Sequence, residues 1–143
     1  MRLGISPSPG WFPVAIQALV VLAKTDEPCS SSAMAQDLKA HAVFLRRVLA
    51  QLVRANLIQA REGRDGGYRL ARSAEQITLA EVYQAVNVAD TAERTDSTSG
   101  VNARVQSVLD EIRAEAEQCL LEVLDRSTLA SVLERVDTAG LSL

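Results

Sequence analysis

The apolar pattern of this chain changes its period after Asn56, and that change restricts the fold more than any other feature. Residues 42–55 repeat their large apolar side chains at i, i+3, i+4 and i+7, which is typical of a helix with one buried face. Residues 57–62 and 68–70 read as two strands, and the turn between them is rich in glycine. We therefore predict a β-hairpin directly behind an amphipathic helix whose buried face is Leu45, Val48, Leu49 and Leu52.

A second, shorter helix is predicted just before this one. Ser30 or Ser31 can cap it, it runs to Leu38, and residues 39–41 form a short turn. Two short helices joined by a tight turn, with the second helix basic on its free face, are what helix-turn-helix DNA binding requires. The hairpin then stands where a wing belongs. The polar residues on the free face are Arg46, Arg47, Gln51 and Arg54.

Four more helices are predicted around this pair. The first covers about residues 11–24. A fourth helix covers 78–86, where Thr78 and Glu81 have the spacing of a capping box. A long helix covers about 101–124, and a last short helix covers 128–136.

The long helix carries an apolar seam with steps of three and four residues. At about 1.5 Å per residue it is roughly 36 Å long, more than the small N-terminal core can cover. We therefore expect a second copy of the chain to cover it. The seam consists of Val101, Val105, Val108, Ile112, Ala116, Cys119 and Val123.

The formal net charge of −3 hides an asymmetry between the two halves of the chain. Residues 1–72 hold ten Lys and Arg against five Asp and Glu, whereas residues 73–143 hold five Arg against thirteen acids. A basic half joined to an acidic half is typical of a polyanion-binding module with a solvated remainder. Chance clustering is the plainer alternative.

Several functional classes lack support in the sequence. No apolar run is long enough to span a membrane, and no signal-peptide layout is present, so we expect a cytoplasmic protein. Cys29 and Cys119 form no metal or redox motif. The single histidine, His41, has no nucleophile or carboxylate partner in view, so we expect no catalytic residues, no metal site, no cofactor and no enzyme.

An ordered series of motifs resembles the Rrf2 family of bacterial winged helix-turn-helix regulators. The series runs from Arg46-Arg47-Val48-Leu49 through Leu57-Ile58 and the wing of residues 63–72 to residues 77–82. Thr128-Leu129 is similar to the closing element of that family. The resemblance covers about residues 12–136 and is strongest over 41–82.

The resemblance implies a mainly α fold with a small β-hairpin wing and a long C-terminal dimerisation helix. We expect a flexible arm over 1–10, a DNA-binding domain over 11–86, a mobile loop over 87–100, and the dimerisation and closing helices over 101–143. The iron–sulfur members of the family carry three cysteines in the loop before the long helix. Residues 87–104 contain no Cys and no His, so we expect no cluster here.

The DNA-contacting residues are expected on the second helix of the motif and on the wing. Arg46 and Arg47 stand where side chains reach base edges in the major groove, with phosphate contact as the alternative. Arg64 stands at the wing tip for the minor groove, with a merely conformational glycine turn as the alternative. His41 either contacts DNA or stabilises the turn. The full set is Ser31, His41, Val43, Arg46, Arg47, Arg61, Arg64, Gly66, Gly67 and Tyr68.

The function predicted from these residues is a sequence-specific transcriptional regulator, a repressor, that binds an inverted-repeat operator in double-stranded DNA as a homodimer. Its signal would be an unidentified small molecule or a redox effector. One alternative is a protein-interaction module that kept the winged fold. Another is a thiol-based regulator that uses Cys29 or Cys119, although Cys119 on an apolar seam also fits a small buried side chain.

Overall fold

The computed structural model describes residues 10–91 and 100–141 and confirms the predicted fold class. Its described part contains six α-helices and one two-stranded antiparallel hairpin. The contacts divide the chain into two compact units, Met1–Ala71 and Arg72–Leu143. The elements are α1 (Trp11–Ala23), α2 (Ser31–Leu38), α3 (Ala42–Arg54), β1 (Ile58–Arg61), β2 (Gly67–Leu70), α4 (Leu79–Thr91), α5 (Val101–Asp125) and α6 (Leu129–Leu141), with a short 3-10 turn at Ala74–Gln76.

The first unit is organised around the apolar face of α3. All four predicted residues of that face are fully buried, as is Met34 of α2. Helices α1 and α2 both pack on α3, and α1 also packs on β2. Burying one such side chain is worth roughly 1.5–3 kcal/mol, so this face fixes how α3 is rotated about its axis. The residues that α1 adds to the core are Val14, Ala15, Ala18, Leu19 and Leu22.

Local interactions set both ends of α2. The Ser30 hydroxyl accepts a hydrogen bond from the backbone N–H of Ala33 at 3.1 Å, so Ser30, and not the alternative Ser31, caps α2. At the other end Lys39 adopts the left-handed conformation, with φ of 52°. That conformation ends α2 and lets α3 begin three residues later, at Ala42.

The hairpin follows α3 with almost no linker. Asn56 takes a left-handed conformation with φ of 60°, which turns the chain out of the helix, and the N–H of Leu57 donates to the carbonyl of Leu52 at 3.0 Å. Strands β1 and β2 then pair antiparallel, from Ile58 opposite Leu70 to Arg61 opposite Gly67. The wing is therefore joined to the end of α3 by only three residues, 55–57, which is fewer than one helical turn.

The second unit is held by two capping motifs and a short bridge. The hydroxyl of Thr78 accepts from the N–H of Glu81 at 3.2 Å, and the Glu81 carboxylate accepts from the N–H of Thr78 at 3.1 Å, which confirms the capping box. Thr128 and Ser131 repeat the arrangement at the start of α6. A bridge between Thr78 and Thr128 joins the two caps, and α4 packs along α5.

Two helices extend beyond their predicted ends. The fourth helix was predicted to stop at residue 86 but continues to Thr91, so the first part of the predicted loop over 87–100 is helical. The Asn87 side chain donates to the Glu117 carboxylate of α5 at 2.7 Å, and this tertiary contact overrides the weak helix propensity of the segment. Helix α6 continues to Leu141. The rest of that loop, 92–99, and most of the predicted arm, 1–9, lie outside the described residues.

The boundary between the compact units falls after Ala71. It lies before the end of the predicted 11–86 domain, because α4 packs on α5. None of the helices described in the two units is both long enough and apolar enough to cross a membrane.

We expect the capping box to make stability depend on acid pH. Burial alone would raise the pKa of Glu81, but the hydrogen bonds from Thr78 and Arg72 outweigh it and hold that pKa below its ordinary value of 4.5. A carboxylate with a lowered pKa stabilises the fold above its unfolded value and loses that contribution as the pH falls through its folded value. Glu81→Gln should therefore lower the melting temperature at pH 7, and the difference from the wild type should vanish as the pH falls from 4.5 through the lower folded-state pKa of Glu81.

The matched control is Glu75→Gln, which removes an exposed carboxylate nearby. Its melting temperature should follow the wild type across the titration. Equal pH profiles for the wild type and Glu81→Gln would contradict the assignment.

Candidate DNA-binding surface

The start of α3 presents a compact exposed face. Val43, Arg46 and Arg47 lie at i, i+3 and i+4, and all three are exposed, Val43 by 63%. They face outward because the opposite side of the helix is buried in the core. His41 occupies the N-cap position, is exposed, and makes no capping hydrogen bond with its side chain. The structure thus brings four of the predicted contact residues together at one end of one helix.

An aromatic pair anchors the first turn of α3. The rings of Phe44 and Trp11 meet edge to face, with centroids 5.2 Å apart and planes at 68°. Such pairs contribute about 0.5–1.5 kcal/mol beyond the area they bury. Phe44 lies between Val43 and Leu45, so this contact holds the exposed end of the helix against the start of α1. The helical period of α3 predicts that Leu45 is buried, but it does not predict the contact between Phe44 and Trp11.

Ser31 is the first residue of α2 and is half-buried. It directly follows the Ser30 cap, at a helix end where backbone N–H groups have no partner within the helix. Because α2 packs on α3, this end belongs to the same unit as the exposed face of α3.

Two glycines of the wing are required by close packing within the chain. A Cβ at Gly66 would overlap the carbonyl oxygen of Arg61, and a Cβ at Gly67 would lie 2.7 Å from the backbone of Cys29. Gly67 also has a φ of 150°, a conformation that residues with side chains rarely adopt. The two glycines are thus explained by packing within the chain, and a role for them in DNA contact stays a prediction.

Tyr68 fixes the wing to the loop before α2 through its backbone. Its N–H donates to the carbonyl of Cys29 at 2.8 Å, and its carbonyl accepts from the N–H of Cys29 at 2.9 Å. The predicted role of Tyr68 in DNA contact is not tested by this geometry, since these bonds use backbone atoms.

One face of the hairpin is basic. Arg61 and Arg69 lie on the same face because strand residues alternate and the register pairs Gln59 with Arg69 and Arg61 with Gly67. Both arginines are exposed, and so is Arg64 at the tip. The predicted set includes Arg61 and Arg64 but not Arg69, although the two-residue period of β2 places Arg69 on the same face.

These cations are not neutralised within their own unit. Over residues 10–91 and 100–141, no carboxylate lies within 4.0 Å of Arg46, Arg47, Arg61, Arg64 or Arg69. Asp65 and Glu62 on the wing are exposed and leave those guanidinium groups unpaired. The surface can therefore offer its donors to an anion without first breaking an ion pair.

The surroundings of Cys29 disfavour its thiolate form. Burial raises the pKa of Cys29, and the negative charge of Asp37 raises it further. The reactive species of a cysteine is the thiolate, so this environment opposes a sensing role for Cys29. Cys119 lies exposed on α5.

A second surface runs along α5. All seven residues of the predicted seam are exposed, Ile112 by 58%. At 100° per residue they fall within an arc that Leu109 and Leu120, also exposed, extend on one side. The opposite side of α5 meets α4, so the apolar stripe points away from that contact.

The described residues hold no site for iron or another metal ion. No group of three or more His, Cys, Asp and Glu side chains that could hold one is found in these two ranges. The donor set therefore does not fit a cluster.

The sequence comparisons agree with this geometry. The family model Rrf2, described as an iron-dependent transcriptional regulator, matches residues 11–135. The HTH-type transcriptional regulator IscR from Cereibacter sphaeroides is 30% identical over 94 residues, which cover 64% of this chain and 61% of that protein. YwgB from Bacillus subtilis, named as a candidate HTH-type transcriptional regulator, is 28% identical over 126 residues, 85% of this chain and 81% of its own.

Solved structures share the fold. The T. potens IscR structure superimposes with a TM-score of 0.68 at 24% identity, covering 97% of this chain and 92% of that one. CymR, the global cysteine regulator of B. subtilis, gives a TM-score of 0.64 at 21% identity, covering 94% and 98%. Because the family model spans most of the sequence, this chain belongs to the Rrf2 family of winged helix-turn-helix transcriptional regulators.

Proposed function

We propose that this protein is a sequence-specific DNA-binding repressor that acts as a homodimer on an inverted-repeat operator. The observation that carries the proposal is the exposed, unpaired face at the start of α3, formed by Val43, Arg46 and Arg47 behind a helix-turn-helix turn. The relatives with which it shares this fold are named as transcriptional regulators and not as enzymes.

Base reading is assigned to the face of α3. A recognition helix enters the major groove with its N-terminal residues toward the base edges. Arginine there makes two hydrogen bonds to the O6 and N7 atoms of guanine, and an apolar side chain such as Val43 contacts the thymine methyl group. The neighbouring N-terminus of α2, with Ser31, is suited to a phosphate.

The wing is assigned to backbone and minor-groove contacts. Arg64 at the tip is exposed between Gly63 and Gly66, and Arg61 and Arg69 line one face of the strands. Arginine is drawn to the negative potential of a narrow minor groove. Together these residues contribute positive charge to DNA affinity and little to the recognition of base sequence.

The dimer is assigned to the apolar stripe of α5. The apolar seam runs along a helix of 25 residues, about 37 Å long, and the described residues of its unit leave it exposed. Two-fold pairing of this helix presents two copies of α3, which matches an inverted repeat with half-sites about one helical turn apart or a multiple of it.

We expect Arg46 and Arg47 to contribute to base preference, and Arg64 to contribute to general DNA affinity. The operator is first selected from a random pool with the wild-type protein. Arg46→Ala or Arg47→Ala should then cost roughly 1–3 kcal/mol and relax preference at one base pair per half-site. Arg64→Ala should weaken binding broadly and lower the salt slope by about one to two per dimer. The measurement is affinity against salt on selected and scrambled operators.

Arg54→Ala is the matched control, because Arg54 is exposed at the far end of the same helix. It should keep the base preference of the wild type. If all three test variants bind the selected operator like the wild type, the DNA-contact assignment is wrong. No enriched sequence at all would favour a protein-interaction module.

We also expect a charge in the stripe to split the dimer. Val108→Asp places a carboxylate in the centre of the seam, where pairing would strip it of water, so monomers should result. Ser107→Asp adds the same charge to an exposed position outside the stripe and should leave the dimer intact. Light scattering at micromolar concentration decides this, and a monomeric wild type would refute the dimer.

The purified protein should contain no iron. The segment 87–104 has no Cys or His, and the described residues hold no metal-binding group. Protein prepared without air should be colourless, with neither iron nor sulfide in stoichiometric amount. An absorption band in the visible with bound iron would show that the signal had been misassigned.

A further inference from the structure

A cleft of about 730 Å³ lies within the first unit, beside the wing. Its walls come from the end of α1, the loop before α2, one side of α2 and the wing tip. Volumes of this size are typical of small-molecule sites. The side chains that give the cleft its chemistry are Lys24, Glu27, Cys29, Asp37, Arg64 and Asp65.

Backbone contacts hold the walls of this cleft in place. The two hydrogen bonds between Cys29 and Tyr68 join the loop to strand β2, and Gly67 allows that close approach. On the loop itself, the N–H of Glu27 donates to the Thr25 hydroxyl at 3.2 Å. The cleft is thus formed before any ligand arrives, which lowers the entropic cost of binding.

The lining carries both signs of charge. Asp37 lines the cleft from α2, and its negative charge raises the pKa of Cys29, whereas Arg64 lines the cleft from the wing tip. Within the part of the chain that the structure describes, neither Asp37 nor Arg64 is in an ion pair. The three carboxylates of the lining would repel a purely anionic ligand. Lys24 and Arg64 would repel a purely cationic one.

We propose that the cleft binds a small zwitterion of amino-acid or dipeptide size, with its ammonium group toward Asp37 and its carboxylate toward Arg64. A ligand held in this way engages the wing-tip arginine. It would therefore compete with DNA and act as an inducer, and this regulatory part rests on the proposed function.

Binding is tested first without DNA. The twenty L-amino acids and their glycyl dipeptides are added at millimolar concentration to ¹⁵N-labelled protein. At least one should shift the amide signals of Ser30, Ala33 and Gly66 and saturate. Its N-acetyl and C-terminal amide derivatives, which each lack one charge, should bind about tenfold or more weakly. No saturable shift from any of these probes, or equal binding of the blocked derivatives, would overturn the proposal.

Variants then test the two contacts. Asp37→Asn and Arg64→Gln should each weaken the binding probe about tenfold or more. Asp26→Asn is the matched control, because Asp26 is an exposed loop acid outside the lining, and it should bind the probe like the wild type. Unchanged binding by Asp37→Asn and Arg64→Gln would overturn the assignment of the cleft.

The regulatory part is tested on the selected operator. A saturating concentration of the binding probe should lower the DNA affinity of the wild type but not of Asp37→Asn. Unchanged DNA affinity with an occupied cleft would overturn the inducer role and leave the binding site standing. A protein that binds no operator would refute the proposed function, while the amide shifts still decide the cleft.

Discussion

The burial of one side of α3 is the constraint on which the proposed DNA-binding surface depends. Leu45, Val48, Leu49 and Leu52 are fully buried against the other helices of the first unit, so α3 cannot rotate without exposing them. Their fixed direction sets the direction of Arg46 and Arg47 on the opposite side. Burying each leucine contributes roughly 1.5–3 kcal/mol to stability. A surface ion pair that Arg46 or Arg47 could form after a rotation of α3 would contribute far less.

The wing depends on a second constraint, the contact between its returning strand and the loop before α2. The pair of backbone hydrogen bonds between Cys29 and Tyr68 needs a close approach that only glycine permits at position 67. This arrangement gives the Gly-Gly-Tyr sequence a structural cause inside the chain. It also means that the loop, α2 and the wing tip form the walls of one cleft, so a ligand there acts directly on the wing.

The second unit differs in character from the first. Its α5 helix leaves an apolar stripe exposed while its other side packs on α4. The proposed dimer explains why so much apolar surface is kept on a helix that is otherwise rich in charge. Under this proposal the basic and acidic halves of the chain serve different tasks, DNA contact and assembly, which the net charge of −3 conceals.

The sequence by itself determined the element order, the buried face of α3 and the capping box at Thr78, and it limited the cap of α2 to Ser30 or Ser31, because these follow from local spacing and local hydrogen bonds. It also predicted the exposed seam of α5. Only the tertiary structure decided the extension of α4 to Thr91, the pairing of Trp11 with Phe44, and the internal role of Gly66 and Gly67. Each of these depends on a contact between residues distant in sequence, or on two backbone segments that pack closely together. A local repeat of apolar residues does not predict such contacts.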